Sequence, residues 1–196
     1  NEASTRAAVN FYSLFVTGDI HKTNSKTAEM CKLVENASRD VQIAFANELD
    51  LISNKVGVNV LELIELANKH PRVNILQPGC GVGGHCIAVD PYFLVSHFPD
   101  ETNMIRTARE VNNYKPRWCL ENIKKEINEF EITNNRIPKI AIMGLAFKPN
   151  IDDLRESPAK EIALGVSNLN INDNNLFVSE PNIEKSEDFV LCDISE

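Results

Sequence analysis

Apolar residues recur at three- and four-residue steps along the first third of the chain: Met30, Leu33, Val34, Ala37, Val41, Ala44, Phe45, Leu49, Ile52 and Val56. That period predicts one long amphipathic helix over 27–56. Ser25 or Thr27 can cap its start, Glu29 lies in the first turn, and Gly57 can end it. A shorter helix is expected over 59–69, stopping before Pro71. Another is expected over 101–113, broken at Lys115-Pro116, with a further helix running to Phe130. Upstream, Ala7, Ala8, Phe11, Tyr12 and Phe15 suit a short amphipathic helix within 4–20, followed by a strand-like end.

The pattern changes after residue 130. Pro138-Lys139-Ile140-Ala141-Ile142-Met143-Gly144 reads as a short apolar strand ending in glycine. Ser157-Pro158 reads as a helix start, a Ser cap with Pro at the first helical position. Asn175 to Pro181 reads as a second strand, and Phe189 to Asp193 suits a third. The Asn-rich stretch 168–175 between them reads as a surface loop. Strand, helix, strand is the start of a parallel α/β sheet. The fold class expected is α/β: a mostly helical part with one long helix, then an incomplete Rossmann-like parallel sheet. Three parallel strands under one helix leave apolar faces exposed, so a partner covers them or the chain is a piece of something longer.

Composition narrows the partners. The 196 residues are 43% hydrophobic, enough for a packed core, and carry a net charge of −8. That charge argues against nucleic acid. No apolar run reaches the roughly 18–20 residues that span a bilayer, which argues against a membrane partner. Residues 1–10 lack the basic-then-apolar pattern of a signal peptide. Five cysteines without regular spacing do not read as a disulfide framework, so a reducing cytoplasm is the simplest location.

The chemistry concentrates around Cys86. It ends the run Leu76-Gln77-Pro78-Gly79-Cys80-Gly81-Val82-Gly83-Gly84-His85-Cys86, and Asp90-Pro91 follows four residues later. The glycines fit GxGxxG by letter, but Gln77-Pro78 separates them from a weak apolar stretch, so the strand that a dinucleotide fingerprint needs is missing. A loop whose amides approach a phosphate or sugar fits better, beside the plainer reading of a flexible surface turn. Cys86 is either a small buried hydrophobe or, if it starts a helix, a thiol near unpaired amides that favour thiolate. Zinc on Cys80, His85 and Cys86 would lack C-x-x-C spacing, and no metal is expected. Lys32 and Asn36, four apart, share a helix face beside the apolar stripe. They are a solvated pair or, aimed into a cleft, can stabilise an oxyanion or hold a water. Lys148 and Arg155 follow the first strand, where open α/β sheets bind ligands, and suit phosphates as well as plain surface charge.

Together these motifs resemble the UDP-glucose/GDP-mannose dehydrogenase family of nucleotide-sugar 6-dehydrogenases. The resemblance is carried by Thr27-Ala28-Glu29-Met30-Cys31-Lys32-Leu33-Val34-Glu35-Asn36 and Ala44-Phe45-Ala46-Asn47-Glu48-Leu49. It continues through Gly83 to Pro91, Thr107-Ala108-Arg109-Glu110-Val111-Asn112, Gly144 to Pro149, and Arg155 to Ala159. The form His85-Cys86-Ile87-Ala88-Val89-Asp90-Pro91 is similar to the branch acting on UDP-N-acetylmannosamine, which implies a UDP-N-acetylhexosamine substrate and a uronic acid product.

The resemblance implies oxidation of a C6 alcohol to a carboxylate with two NAD⁺. Cys86 would attack the intermediate aldehyde to give a thiohemiacetal, then a thioester that water hydrolyses. Lys32 would stabilise the oxyanion, Asn36 would orient it with a water, and Asp90 would help activate that water. Arg72, Asn74, Gln77, Gly79, Gly83, Phe147 and Lys148 would contact the sugar nucleotide, Arg72 in the partner subunit of a homodimer built on the long helix. Arg155 would lie near the cofactor. The implied division is 1–22, the end of an NAD-binding Rossmann domain; 23–132, a helical dimerisation domain with the cysteine loop; and 133–196, an incomplete UDP-binding domain. The family's strand–GxGxxG–helix start does not occur in these residues. The chain therefore reads as the middle of such an enzyme, and alone it is expected to bind NAD poorly and not to turn over. The rival expectations are a non-catalytic interaction module and a UDP-sugar binder without redox activity.

Overall fold

Two helices of 32 residues each organise the first part of the chain, where the sequence pattern led us to expect one. The computed structural model describes residues 1–169, 171 and 175–193. Its helices are α1 (Glu2–Tyr12), α2 (Ser25–Val56), α3 (Val60–Ala67), α4 (Asp90–His97), α5 (Asn103–Asn134) and α6 (Pro158–Ser167). Its strands are β1 (Ile140–Met143), between α5 and α6, and β2 (Leu176–Ser179), after α6. The architecture is the expected α/β arrangement, a helical part followed by a small parallel sheet.

Helix α2 begins one residue earlier than its predicted caps. Asn24, extended at ψ 162°, accepts from the Thr27 amide and caps it, so neither Ser25 nor Thr27 does. Gly57 ends it at φ 71°, a conformation that costs a glycine nothing. The helix expected to break at Pro116 does not break: α5 runs through it. Proline removes the amide that would bond the Asn112 carbonyl. That carbonyl instead faces Gly81, whose Cα stands where a side chain would meet Asn112 O and Pro116 Cγ. Burial of Asn112 and Lys115 on the α2 side holds the helix together across the defect.

The buried face of α2 coincides with the apolar stripe only at its alanines, Ala37 and Ala44. Asn36, Ala37, Asp40, Ala44, Ala46, Asn47 and Ser53 are buried, while Met30, Val34, Phe45, Ile52 and Val56 are exposed. Helix α2 packs along α5, and α4 packs against both. At the N-terminus, α1 is capped by Asn1 and buries none of its residues. The strand-like end expected after it is absent: residues 13–24 form turns and irregular chain, with Phe11, Tyr12 and Phe15 stacked edge to face on one another.

In the second part β1 and β2 pair in parallel, Ile140 opposite Leu176 through Met143 opposite Ser179. Leu145, Ala163 and Val178 form its core, covered by Ile142, Leu154, Leu176, Phe189 and Leu191. The third strand is reduced to a single parallel bridge, Val178 to Leu191, with the Cys192 amide donating to Val178 O at 2.9 Å. Ser157 caps α6 with Pro158 at its first position, as the sequence predicts. The Asn-rich run lies partly outside the described residues. Met143 and Phe177 leave one face of the sheet exposed.

Candidate active site

Cys86 lies on the surface at the entry to a helical turn. Its carbonyl accepts from the Val89 and Asp90 amides at 3.1 and 2.7 Å, and α4 starts at Asp90 with Pro91 behind it. The thiol therefore stands exposed just ahead of the first turn of α4. Asn36, on α2, donates from Nδ2 to Asp90 Oδ2 at 2.5 Å across 54 residues of sequence. Three of the four residues expected to do chemistry are thus linked: Asn36 bonds the Asp90 carboxylate, and the Asp90 amide bonds the Cys86 carbonyl.

Lys32 is on the same helix one turn earlier, but its ammonium is exposed and sits 3.6 Å from Glu35. An exposed i,i+3 pair of this kind is worth well under about 1 kcal/mol, so it gives way readily to an anion.

The glycine loop is docked rather than free. The Gly84 amide, at φ 82°, donates to Arg155 O at 3.2 Å, and the Phe147 ring covers the place a Gly84 side chain would take. A side chain on Gly83 would collide with Glu156 O, Phe147 Cβ and Pro158 Cδ. The cysteine loop and the loop after β1 therefore close on each other, and only glycine permits the approach. Lys148 projects into solvent with its Nζ 5.7 Å from the Phe147 ring centroid.

Arg72, Asn74, Gln77 and Gly79 are exposed along the segment leading to that loop. Asn68 anchors the segment by bonding both the amide and the carbonyl of Ile75. The Gly79 amide donates to Asn47 Oδ1 at 2.9 Å. The Arg72 amide donates to His70 Nδ1 at 3.3 Å.

Arg155 is exposed, and Asp153 grips it with three hydrogen bonds of 2.6–3.1 Å. Those bonds hold the Asp153 carboxyl down to about 2, with the Arg155 charge and His85 acting in the same direction. Because the folded value is depressed, the pair contributes above the ordinary carboxylate range and is lost as pH falls through about 2. A carboxyl-detected NMR titration should place the Asp153 midpoint there, and Arg155→Ala, which keeps only the backbone amide's bond to Asp153, should raise it part of the way to the ordinary range. An unchanged midpoint would mean the pair does not form.

Among the described residues no three His, Cys, Asp or Glu side chains converge as metal ligands. A dinucleotide needs a glycine turn between a strand and a helix. The run 79–84 follows irregular chain, and Gly144, after β1, is separated from α6 by a long loop. The residues described here therefore do not form a cradle for NAD, and Arg155 is the one expected cofactor contact they contain.

Several polar residues at the site went unassigned in the sequence. Glu180, buried at the end of β2, accepts from the Leu145 and Ala146 amides at 2.7 and 3.0 Å and fixes the turn that presents Phe147. Burial raises its carboxyl, but those bonds and two from Asn182 outweigh it and hold the group below its usual value. Asp40, Asn47, Arg109 and Asn112 form a buried cluster between α2 and α5. Their signal was present: 36, 40 and 47 are polar at helical spacing inside an apolar pattern. Cys80 and Cys119 are half-buried, and burial pushes both thiols up, against the pull of Lys115.

Comparison with known proteins gives this geometry a context. Residues 26–114 match the central-domain model of the UDP-glucose/GDP-mannose dehydrogenase family, and residues 141–192 match its UDP-binding-domain model. The chain is 55% identical over 178 residues to UDP-N-acetyl-D-mannosamine dehydrogenase of Campylobacter jejuni, covering 91% of this chain and 42% of the relative. It is 60% identical over 158 residues to NDP-N-acetyl-D-galactosaminuronic acid dehydrogenase of Ralstonia solanacearum, covering 81% and 36%. Its fold matches a solved UDP-N-acetyl-mannosamine dehydrogenase of Staphylococcus aureus with TM-score 0.82 and 44% identity, over 97% of this chain and 43% of that one. The chain thus spans less than half the length of the curated relatives it matches. Two family models in order along one chain, and close relatives over nearly all of it, lead to one conclusion: the chain belongs to the UDP-glucose/GDP-mannose dehydrogenase family.

Proposed function

We propose that this chain supplies the thiol and the UDP-sugar contacts of an NAD-dependent nucleotide-sugar 6-dehydrogenase whose substrate is a UDP-N-acetylhexosamine. The observation that carries the reading is the link from Cys86 through the Asp90 amide to the Asn36–Asp90 bond, next to a loop clasped by Phe147 and Arg155. Relatives acting on N-acetylmannosamine and N-acetylgalactosaminuronic derivatives both support an N-acetylated sugar.

In this reading the Cys86 thiolate adds to the C6 aldehyde carbon. A C–S bond forms, and the carbonyl pair moves to oxygen as a thiohemiacetal alkoxide. Lys32, released from Glu35, and Asn36 face that oxyanion. Asp90, held by Asn36, orients the water that later hydrolyses the acyl thiol. Phe147 and Lys148 contact the sugar nucleotide, with Asn74, Gln77, Gly79 and Gly83 along the loop and Arg72 reaching across a dimer. A bound NAD would supply the oxidant that takes the thiohemiacetal to the acyl thiol, and Arg155 would be the residue of this chain nearest to it. The division at 22/23 and 132/133 belongs to the same proposal. So does a homodimer through the exposed Val34, Phe45, Ile52 and Val56 of α2. No helix among the described residues is long and apolar enough to cross a membrane, and a reducing cytoplasm suits the free thiols.

Alkylation followed by peptide mass spectrometry tests the reading. Cys86 should label faster than Cys31 and Cys119. UDP-N-acetylmannosamine at ten times its dissociation constant should slow Cys86 about tenfold and leave Cys31 unchanged. Equal labelling of all three thiols, with no protection, would sink the assignment.

A further inference from the structure

The cysteine segment is tied at its start to a buried cluster that the chemistry above does not use, and at its far end to the same cluster through the exposed Asn113 and Tyr92. At its start, the Gly79 amide donates to Asn47, and Asn47 Nδ2 donates to Asn112 Oδ1 at 2.9 Å. Asn112 Nδ2 donates in turn to the Asp40 carbonyl and carboxylate at 3.0 and 2.8 Å. Arg109 Nη1 donates to the same carboxylate at 2.6 Å, and its Nη2 donates to Asn113 Oδ1 at 2.5 Å. At the far end, Asn113 Nδ2 donates to Tyr92 Oη at 2.9 Å, with the Arg109 guanidinium 5.9 Å from the Tyr92 ring centroid. Tyr92 is two residues beyond Asp90, in the first turn of α4.

The cluster is a poor device for stability alone. The Asp40 and Arg109 side chains are 0% and 4% exposed, and ion pairs so deep recover little more than their desolvation. Asp40 Oδ2 and Arg109 Nε are buried without a partner among the described residues. Burial pushes the Asp40 carboxyl up, and Arg109 and Asn112 offset only part of that. The cluster is better suited to fixing a distance. One chain of hydrogen bonds through the cluster links Gly79 to Tyr92, and Cys86 lies midway between them.

We propose that Asp40, Arg109, Asn112 and Asn47 are positioning residues that pin both ends of the segment 79–92 and thereby hold Cys86 beside Asn36 and Asp90. The functional weight of this device rests on the reading of Cys86 as the nucleophile.

The test uses the full chain and two variants. Asp40→Leu/Arg109→Met removes both charges without stranding either, and Tyr92→Phe cuts only the far tether on an exposed ring. Amide hydrogen exchange is followed by mass spectrometry. Cys86 and Cys31 carry a trifluoroacetonyl tag for fluorine NMR. The double variant should raise exchange about tenfold across 79–92, leave β1, β2 and α6 unchanged, and shift the Cys86 fluorine line but not that of Cys31. Tyr92→Phe should raise exchange severalfold at 89–92 only, and it decides the matter if the double variant does not fold. Exchange that rises evenly through α2, α5 and α6, or an unmoved Cys86 line in both variants, overturns the proposal. Loss of ligand protection in the unaltered chain would instead count against the nucleophile reading and leave the pinning result intact.

Discussion

Asp50→Ala is expected to destabilise the chain by roughly 3–5 kcal/mol, the cost of stranding a buried charge. Lys115 is 1% exposed, and its ammonium has the Asp50 carboxylate as ion-pair partner and the Trp118 ring 3.9 Å from its nitrogen. The cation–π contact alone does not replace a carboxylate at such a site. The lysine also lies on the stretch of α5 that carries Pro116, where the helix has already lost a hydrogen bond. At roughly 2–4 °C per kcal/mol for a chain of this size, the melting temperature should fall by about 10 °C. Lys115→Met added to Asp50→Ala should recover most of the loss, because it removes the charge that was stranded. Glu65→Ala is the control: its ion pair with Lys69 is about 70% exposed on both sides and should matter by less than about 1 kcal/mol. Urea unfolding of the four proteins would decide it. Equal midpoints for Asp50→Ala and Glu65→Ala would mean that Lys115 is not buried as described.

The same region shows what the sequence made legible. Its period revealed α2 almost to the residue, because helical spacing is a local property. It did not reveal which face is buried. Phe45 and Ile52 stay exposed while Asp40 and Asn47 go inside, because the neighbouring helix offers Arg109 and Asn112 as partners. Those partners are 65 to 72 residues away, and no local pattern in one sequence records the pairing. Pro116 misled for a related reason: its helix-breaking cost is local, while the packing that outweighs it is tertiary. At the site, the motif around Cys86 and the i,i+4 pair Lys32 and Asn36 were visible from residue type. That Asn36 turns toward Asp90 while Lys32 turns toward Glu35 depended on the placement of α4, which the sequence pattern had not marked as a helix.

Gly83→Ala should undock the cysteine loop, whereas Gly79→Ala should be nearly silent. A Cβ on Gly83 would lie 2.7 Å from Phe147 Cβ and 2.8 Å from Pro158 Cδ, and closer still to Glu156 O. None of these can step aside cheaply. Glu156 holds a left-handed φ of 49°, Pro158 is the first residue of α6, and Ser157 between them bonds Leu145 O at 2.6 Å. Overpacking of this kind costs about 1–3 kcal/mol when the surroundings absorb it. Here the loop has a cheaper exit, which is to leave Phe147 and Arg155 and open. The nearest atom to a Cβ on Gly79 is 3.9 Å away, an ordinary contact, and its stability should change by less than about 0.5 kcal/mol. The two variants therefore separate the loop's composition from its docking. In Gly83→Ala, Cys86 should still alkylate, but UDP-N-acetylmannosamine should no longer protect it, because the thiol has parted from Phe147 and Lys148. In Gly79→Ala, the sugar nucleotide should protect as before, because alanine keeps the amide that donates to Asn47 and its Cβ meets nothing closer than 3.9 Å. Full protection and an unchanged melting temperature in Gly83→Ala would show that the thiol loop does not depend on the second part of the chain for its place.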